Sequence, residues 1–129
     1  GYIQGYGLKS GAVATSVAHD SHNIICVGTN DEDMAFAVNR IARNRGGIVV
    51  VENGQVLAEL PLEIAGIISG KPLREVNTLL EDAKKAAHAL GVGTDIDPFM
   101  TLSFMSLPVI PTLRLTTRGV VDVNTQQYV

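Results

Sequence analysis

The chain has 129 residues, 46% of them hydrophobic and 18% charged, with a formal net charge of −3. That is enough apolar material for one compact domain over residues 1–129, but too little length for a metal-dependent enzyme built on a complete barrel. The acidic balance and the scattered Lys and Arg argue against a nucleic-acid surface, and no apolar run reaches the roughly 20 residues of a membrane helix.

The opening Gly1 to Gly7 is rich in glycine, lacks a charged-then-apolar leader, and reads as a cut from something longer. Gly11 to Ala18 and Asn23 to Val27 then read as strands, interrupted by the polar turn His19-Asp20-Ser21-His22-Asn23. Polar side chains crowded between two apolar runs mark a candidate site, because strand ends are where sites are built. The lone Cys26 sits in an apolar run, which excludes an internal disulfide and favours an inert, buried thiol.

Thr29 with Glu32 three residues later reads as a capping box opening a helix from Asp31 to Arg45, and Gly46 supplies its stop. Asp31, Glu32 and Asp33 place negative charge at the positive end of the helix dipole. Met34, Ala37, Val38, Ile41 and Ala42 form its buried stripe, with Phe36 off that stripe. Ile48 to Glu52, Asn53-Gly54 and Gln55 to Leu60 make a β-hairpin, since Asn-Gly supplies the positive φ angles of a type I′ turn.

The apolar segment from Pro61 to Ile68 is ambiguous by pattern, and Pro72 opens a second helix that runs to Leu90. Leu73, Val76, Leu79, Leu80, Ala83, Ala87 and Leu90 form its stripe, leaving His88 on the surface. Asp95 and Asp97 before Pro98 read as turn residues. The Phe- and Met-rich segment from Phe99 to Met105 calls for a cover, and Val120 to Val123 reads as a last edge strand. The order of elements predicts an α/β or α+β fold, with a mixed β-sheet packed against two main helices.

His19, Asp20 and His22 are donors that suit zinc, manganese or iron, but a spacing of three residues is weak evidence, and a turn held by Asp20 or Asn23 is the plainer reading. Acid/base work or contact with a polar ligand is the other route for the same side chains. The Gly5-Tyr6-Gly7 and Gly91-Val92-Gly93 triplets lack the strand-to-helix context of a dinucleotide fingerprint, and no phosphate loop or nucleophile elbow is present.

Gly11 through Ile24, followed by Val27-Gly28-Thr29-Asn30-Asp31-Glu32-Asp33-Met34, resembles the carboxy-terminal domain of bacterial adenine deaminases. The likeness continues through Gly46 to Val51, Leu57 to Leu62, Ile64-Ala65-Gly66, Asp97 to Phe104 and Leu107 to Pro111, nearly the whole chain. It implies an amidohydrolase-type enzyme that converts adenine and water to hypoxanthine and ammonia, with manganese or iron held in a TIM barrel that this chain lacks. A metal-activated hydroxide would attack the purine C6 there.

The resemblance therefore implies that this chain alone is inactive and holds no metal, and that its partner is the remainder of the adenine deaminase chain. The whole would be a cytoplasmic homo-oligomer acting on adenine, without nucleic-acid or membrane partners. His19 and Asp20 are the catalytic candidates, and Ser21, His22 and Asn23 the substrate-binding ones. The alternative is a non-catalytic assembly or ligand-binding module, with Phe36 and the Phe99 to Met105 segment as contact area.

Overall fold

The computed structural model describes residues 1–129. Four strands, β1 (Ala12–Thr15), β2 (Ile25–Gly28), β3 (Gly47–Glu52) and β4 (Gln55–Pro61), form one sheet in the order β2-β1-β3-β4. Helix α1 (Asp31–Asn44) covers one face, while α2 (Leu73–Ala89) and the short α3 (Pro98–Ser103) lie towards the other. Strands β5 (Leu113–Thr116), β6 (Gly119–Asp122) and β7 (Gln127–Tyr128) make a second sheet, and neither sheet closes into a barrel.

Every residue of the two central strands except Glu52 is buried, because both of their faces are covered. Ala12, Ala14, Val49 and Val51 pack with Ala37 and Ile41 of α1, whereas Val13, Ile48 and Val50 belong to the core built with Ala83, Ala87, Phe99 and Leu102. Alternate side chains thus feed two hydrophobic cores, as the period of two along a strand requires.

The expected packing of a sheet against two main helices is what forms, but the pairing is antiparallel throughout rather than mixed. Strands β2 and β3, joined through α1, run in the same direction, as a helical crossover predicts. Strand β1 lies between them and pairs antiparallel with both, so no parallel ladder forms.

Several expected boundaries shift for local reasons. Strand β1 ends at Thr15, not Ala18, where Thr15 Oγ1 accepts from the Val17 amide at 3.0 Å and turns the backbone away from the sheet. Asn30, not Thr29, caps α1: its Oδ1 accepts from the Asp33 amide at 2.8 Å. Thr29 is occupied elsewhere, with its amide and its hydroxyl both directed at the Gly11 carbonyl.

The Asn53-Gly54 hairpin forms as expected, with φ of 52° and 69°. It is tied back to α1 by Asp33, whose carboxylate accepts from the Asn53 amide at 3.2 Å and the Gly54 amide at 2.7 Å. Leu73 leaves the predicted stripe of α2 and is 84% exposed, while His88 is half-buried with Nδ1 3.2 Å from the Val92 carbonyl oxygen. Residues Val120 to Asp122 lie in the central strand of the second sheet, not at an edge, because the tail supplies β7. No helix is long and apolar enough to cross a membrane.

Candidate functional site

The polar turn follows β1 and is held by the carboxyl-terminal third of the chain. Ala18 is buried, and the next amide, of His19, donates to the Ser103 carbonyl at 2.8 Å. The His19 ring stacks on Phe104 with centroids 4.7 Å apart and planes at 17°. The Ser21 hydroxyl donates to Asn23 Oδ1 at 2.7 Å and lies 2.8 Å from Ser106 Oγ, a side chain that is itself buried.

These contacts keep two non-glycine residues in the left-handed region, Asp20 at φ 58° and His22 at φ 47°. Asp and His enter that region more readily than branched or bulky residues, so the sequence suits the turn. The turn is therefore fixed through Ser21, Asn23 and Ser106, while Asp20 and His22 stand exposed. Sequence reasoning gave that holding role to Asp20 or Asn23 acting on backbone amides.

His22, Asn23 and Ile24 form one wall of an open depression of about 240 Å³. Ala65, Gly66 and Ile67, with Arg45 and Gly46 after the end of α1, also line it. Ser16 joins these segments: its Oγ accepts from the Gly47 amide at 2.7 Å and donates to the Gly66 carbonyl. Gly46, at φ 128°, is required by close approach, because a Cβ there would fall 2.3 Å from Gly66 Cα and 2.6 Å from the Leu62 oxygen.

The depression offers the His22 imidazole, the Asn23 amide and the Arg45 guanidinium beside apolar side chains, while the Asp20 carboxylate lies outside its lining. It does not make a metal centre: nowhere in the chain do three His, Cys, Asp or Glu side chains gather.

The perturbed ionisable groups serve structure. Hydrogen bonds from Asn30, Gly54 and Asn53 hold the Asp33 carboxyl below its ordinary range against the opposing effect of burial. Glu59 is lowered chiefly by Arg40, whose Nε and Nη2 donate at 2.8 and 2.7 Å, with Asn44 adding a third bond at 2.9 Å. Cys26 is half-buried beside the core under α1, not fully buried as its apolar run suggested, and this partial burial pushes its thiol up to about 11. Burial also raises Tyr6, whose hydroxyl donates to the Pro98 carbonyl at 3.0 Å and ties the amino-terminal segment to α3.

Sequence reasoning missed Ser16, Arg45, Phe104 and Ser106 as neighbours of the turn. Only Phe104 carried a local signal, as an aromatic in a segment that called for cover. Asp97, read as a turn residue, caps α3 by accepting from the Phe99 and Met100 amides at 3.0 and 2.9 Å.

The family model for the adenine deaminase C-terminal domain matches residues 1–127. An adenine deaminase of Nitratidesulfovibrio vulgaris is 54% identical over 129 residues, covering 99% of this chain and 22% of that protein. One from Geobacillus kaustophilus is 46% identical, covering all of this chain and 22% of its own length. One from Dehalococcoides mccartyi is 55% identical over 124 residues, covering 96% of this chain and again 22% of the relative. The chain thus spans about a fifth of the curated relatives it matches. With the match running almost from end to end, the chain belongs to the adenine deaminase C-terminal domain family.

Proposed function

We propose that this domain serves an adenine deaminase, which hydrolyses adenine to hypoxanthine and ammonia, by presenting the His19 to Asn23 turn to the mouth of a catalytic site housed in the rest of the enzyme. The observation that carries the reading is the pinned turn: Asp20 and His22 are exposed in left-handed backbone conformations, which neighbouring segments hold in place. Non-glycine residues kept at positive φ cost about 1–2 kcal/mol each, so such turns persist where the surroundings over-determine them, commonly at functional sites.

In this role Asp20 accepts from the exocyclic amine of adenine, and imidazole N–H groups of His19 and His22 donate to ring nitrogens. Ser21 holds Asn23 by its Oδ1, which leaves the Asn23 amide nitrogen to donate to the ligand. His19 or Asp20 would assist proton movement at the departing amine.

Manganese or iron belongs to the remainder of the enzyme on this reading, because no convergent donor set supports a site here. The isolated chain is then inactive, and the assembled enzyme is a cytoplasmic homo-oligomer. In the intact enzyme, His19→Ala or Asp20→Ala is expected to lower kcat/KM for adenine at least about tenfold. Unchanged kinetics with lowered stability would remove the turn from the reaction.

A further inference from the structure

Between β4 and α2 the chain exposes apolar side chains in an unusual concentration. Ile64, Ile67 and Ile68 are 49%, 44% and 54% exposed, and Ile24, which lines the same depression as Ile67, is 38% exposed. Isoleucine is among the residues most often buried, and a contiguous apolar surface beside a polar site marks an interaction surface more than scattered exposure does.

The loop is held in this outward pose. Ile64 and Ile68 exchange backbone hydrogen bonds at 2.9 and 3.0 Å, the Gly70 amide donates to Glu63 Oε1 at 3.0 Å, and the Leu62 amide donates to the Gly46 carbonyl at 3.0 Å. Ser16 binds the Gly66 carbonyl from below. Ala65 sits at φ 55°, a conformation an alanine adopts only under constraint. A pliant loop would fold its isoleucines inward; this one keeps them extended, and such preorganisation lowers the ordering cost of docking.

We propose that Ile24 and the Ile64 to Ile68 loop form the seat on which the catalytic portion of the same enzyme docks, placing the His22 and Asn23 wall at the contact's edge. Two observations select that occupant over others. Ala65, Gly66 and Ile67 of the loop line the depression together with His22 and Asn23, so a surface that covers Ile67 there also borders the polar turn. The relatives that match this chain extend over more than four times its length, and a covalently linked remainder would meet this surface at high effective concentration. The proposal rests on the functional reading given above.

The test is hydroxyl-radical footprinting of the full-length enzyme, with side-chain oxidation read by mass spectrometry and corrected for intrinsic reactivity. Leu57 is the internal reference, being 47% exposed on β4 at the end away from the loop. On this domain's exposures alone, Ile64, Ile67 and Ile68 would react at rates close to that of Leu57. Docking predicts that all three react at least about fivefold more slowly, because an interface core excludes water.

Equal rates would overturn the proposal. Protection that vanishes when an oligomeric enzyme is diluted to its monomer would also overturn it, assigning the seat to a second copy. Ammonia release from adenine by the same preparation separates the two readings. An active enzyme with unprotected isoleucines refutes the docking alone, whereas a preparation that does not deaminate adenine refutes the functional reading and removes the named occupant with it.

Discussion

Ser16→Ala removes one hydroxyl that joins three segments around the depression, the end of β1, the start of β3 and the Ile64 to Ile68 loop. The Gly47 amide loses its acceptor at 2.7 Å and the Gly66 carbonyl loses its donor, while the Ser16 amide still donates to the Gly47 carbonyl at 2.9 Å. Gly47 is buried, so its amide is left without water to replace the lost partner. An unsatisfied buried donor costs about 1–3 kcal/mol, and half-buried Gly66 adds less because solvent partly reaches it.

At about 2 kcal/mol, a domain of this size is expected to lose roughly 6–10 °C in Tm. Ser16→Thr keeps a hydroxyl and should recover most of that loss if the larger side chain is accommodated. Thermal and urea unfolding measure the size of the effect, and amide hydrogen exchange locates it, with Gly47 and the Ile64 to Ile68 loop exchanging faster. A Tm within about 1 °C of the unaltered chain, with Gly47 exchange unchanged, would refute the claim that Ser16 ties these segments together.

Asp33 makes stability depend on acid. Its folded pKa lies below the ordinary value of 3.8, so it contributes stability above about pH 4 that is lost as pH falls through the folded pKa. Asp33→Asn, which turns an N–H₂ group towards hairpin amides, should be less stable than the unaltered chain at pH 7, with the gap closing in acid; a gap independent of pH would contradict the assignment. Cys26, raised to about 11, is roughly one part in a thousand thiolate at pH 8, so a disulfide reagent should modify it on the order of a hundredfold more slowly than a free cysteine. Modification at the free-cysteine rate in the native state would contradict the raised pKa of this half-buried thiol.

The parts of the fold that read correctly from sequence are those with strong local chemistry. Asn53-Gly54 dictates its own turn, and helical period alone places Ala37 and Ile41 of α1 and Ala83 and Ala87 of α2 in the core, although Ala42, read into the α1 stripe, is exposed. The misreadings arise where two partners compete for one group. Thr29 suited the cap of α1 until its hydroxyl and amide were directed at Gly11, and Leu73 fitted the stripe of α2 although contact with the core begins only one turn later, at Val76. Asp33 read as a dipole charge, whereas its main bonds reach a hairpin 20 residues away.

The same limit applies to the site. The His19 to Asn23 turn stood out by composition, but nothing local announced that Phe104 and Ser106 would pin it from 85 residues on, since that contact exists only once α3 is placed. The apolar run from Ile64 to Ile68 was ambiguous because periodicity distinguishes strand from helix, not a fixed loop that holds its isoleucines outward.

The most direct measurement is adenine-dependent ammonia release, with manganese or iron supplied, by this chain alone and by the chain mixed with a separately produced catalytic portion. Release from the mixture and none from the chain alone is the predicted result. Release by the chain alone would contradict the account, because it would require a complete active site within these 129 residues.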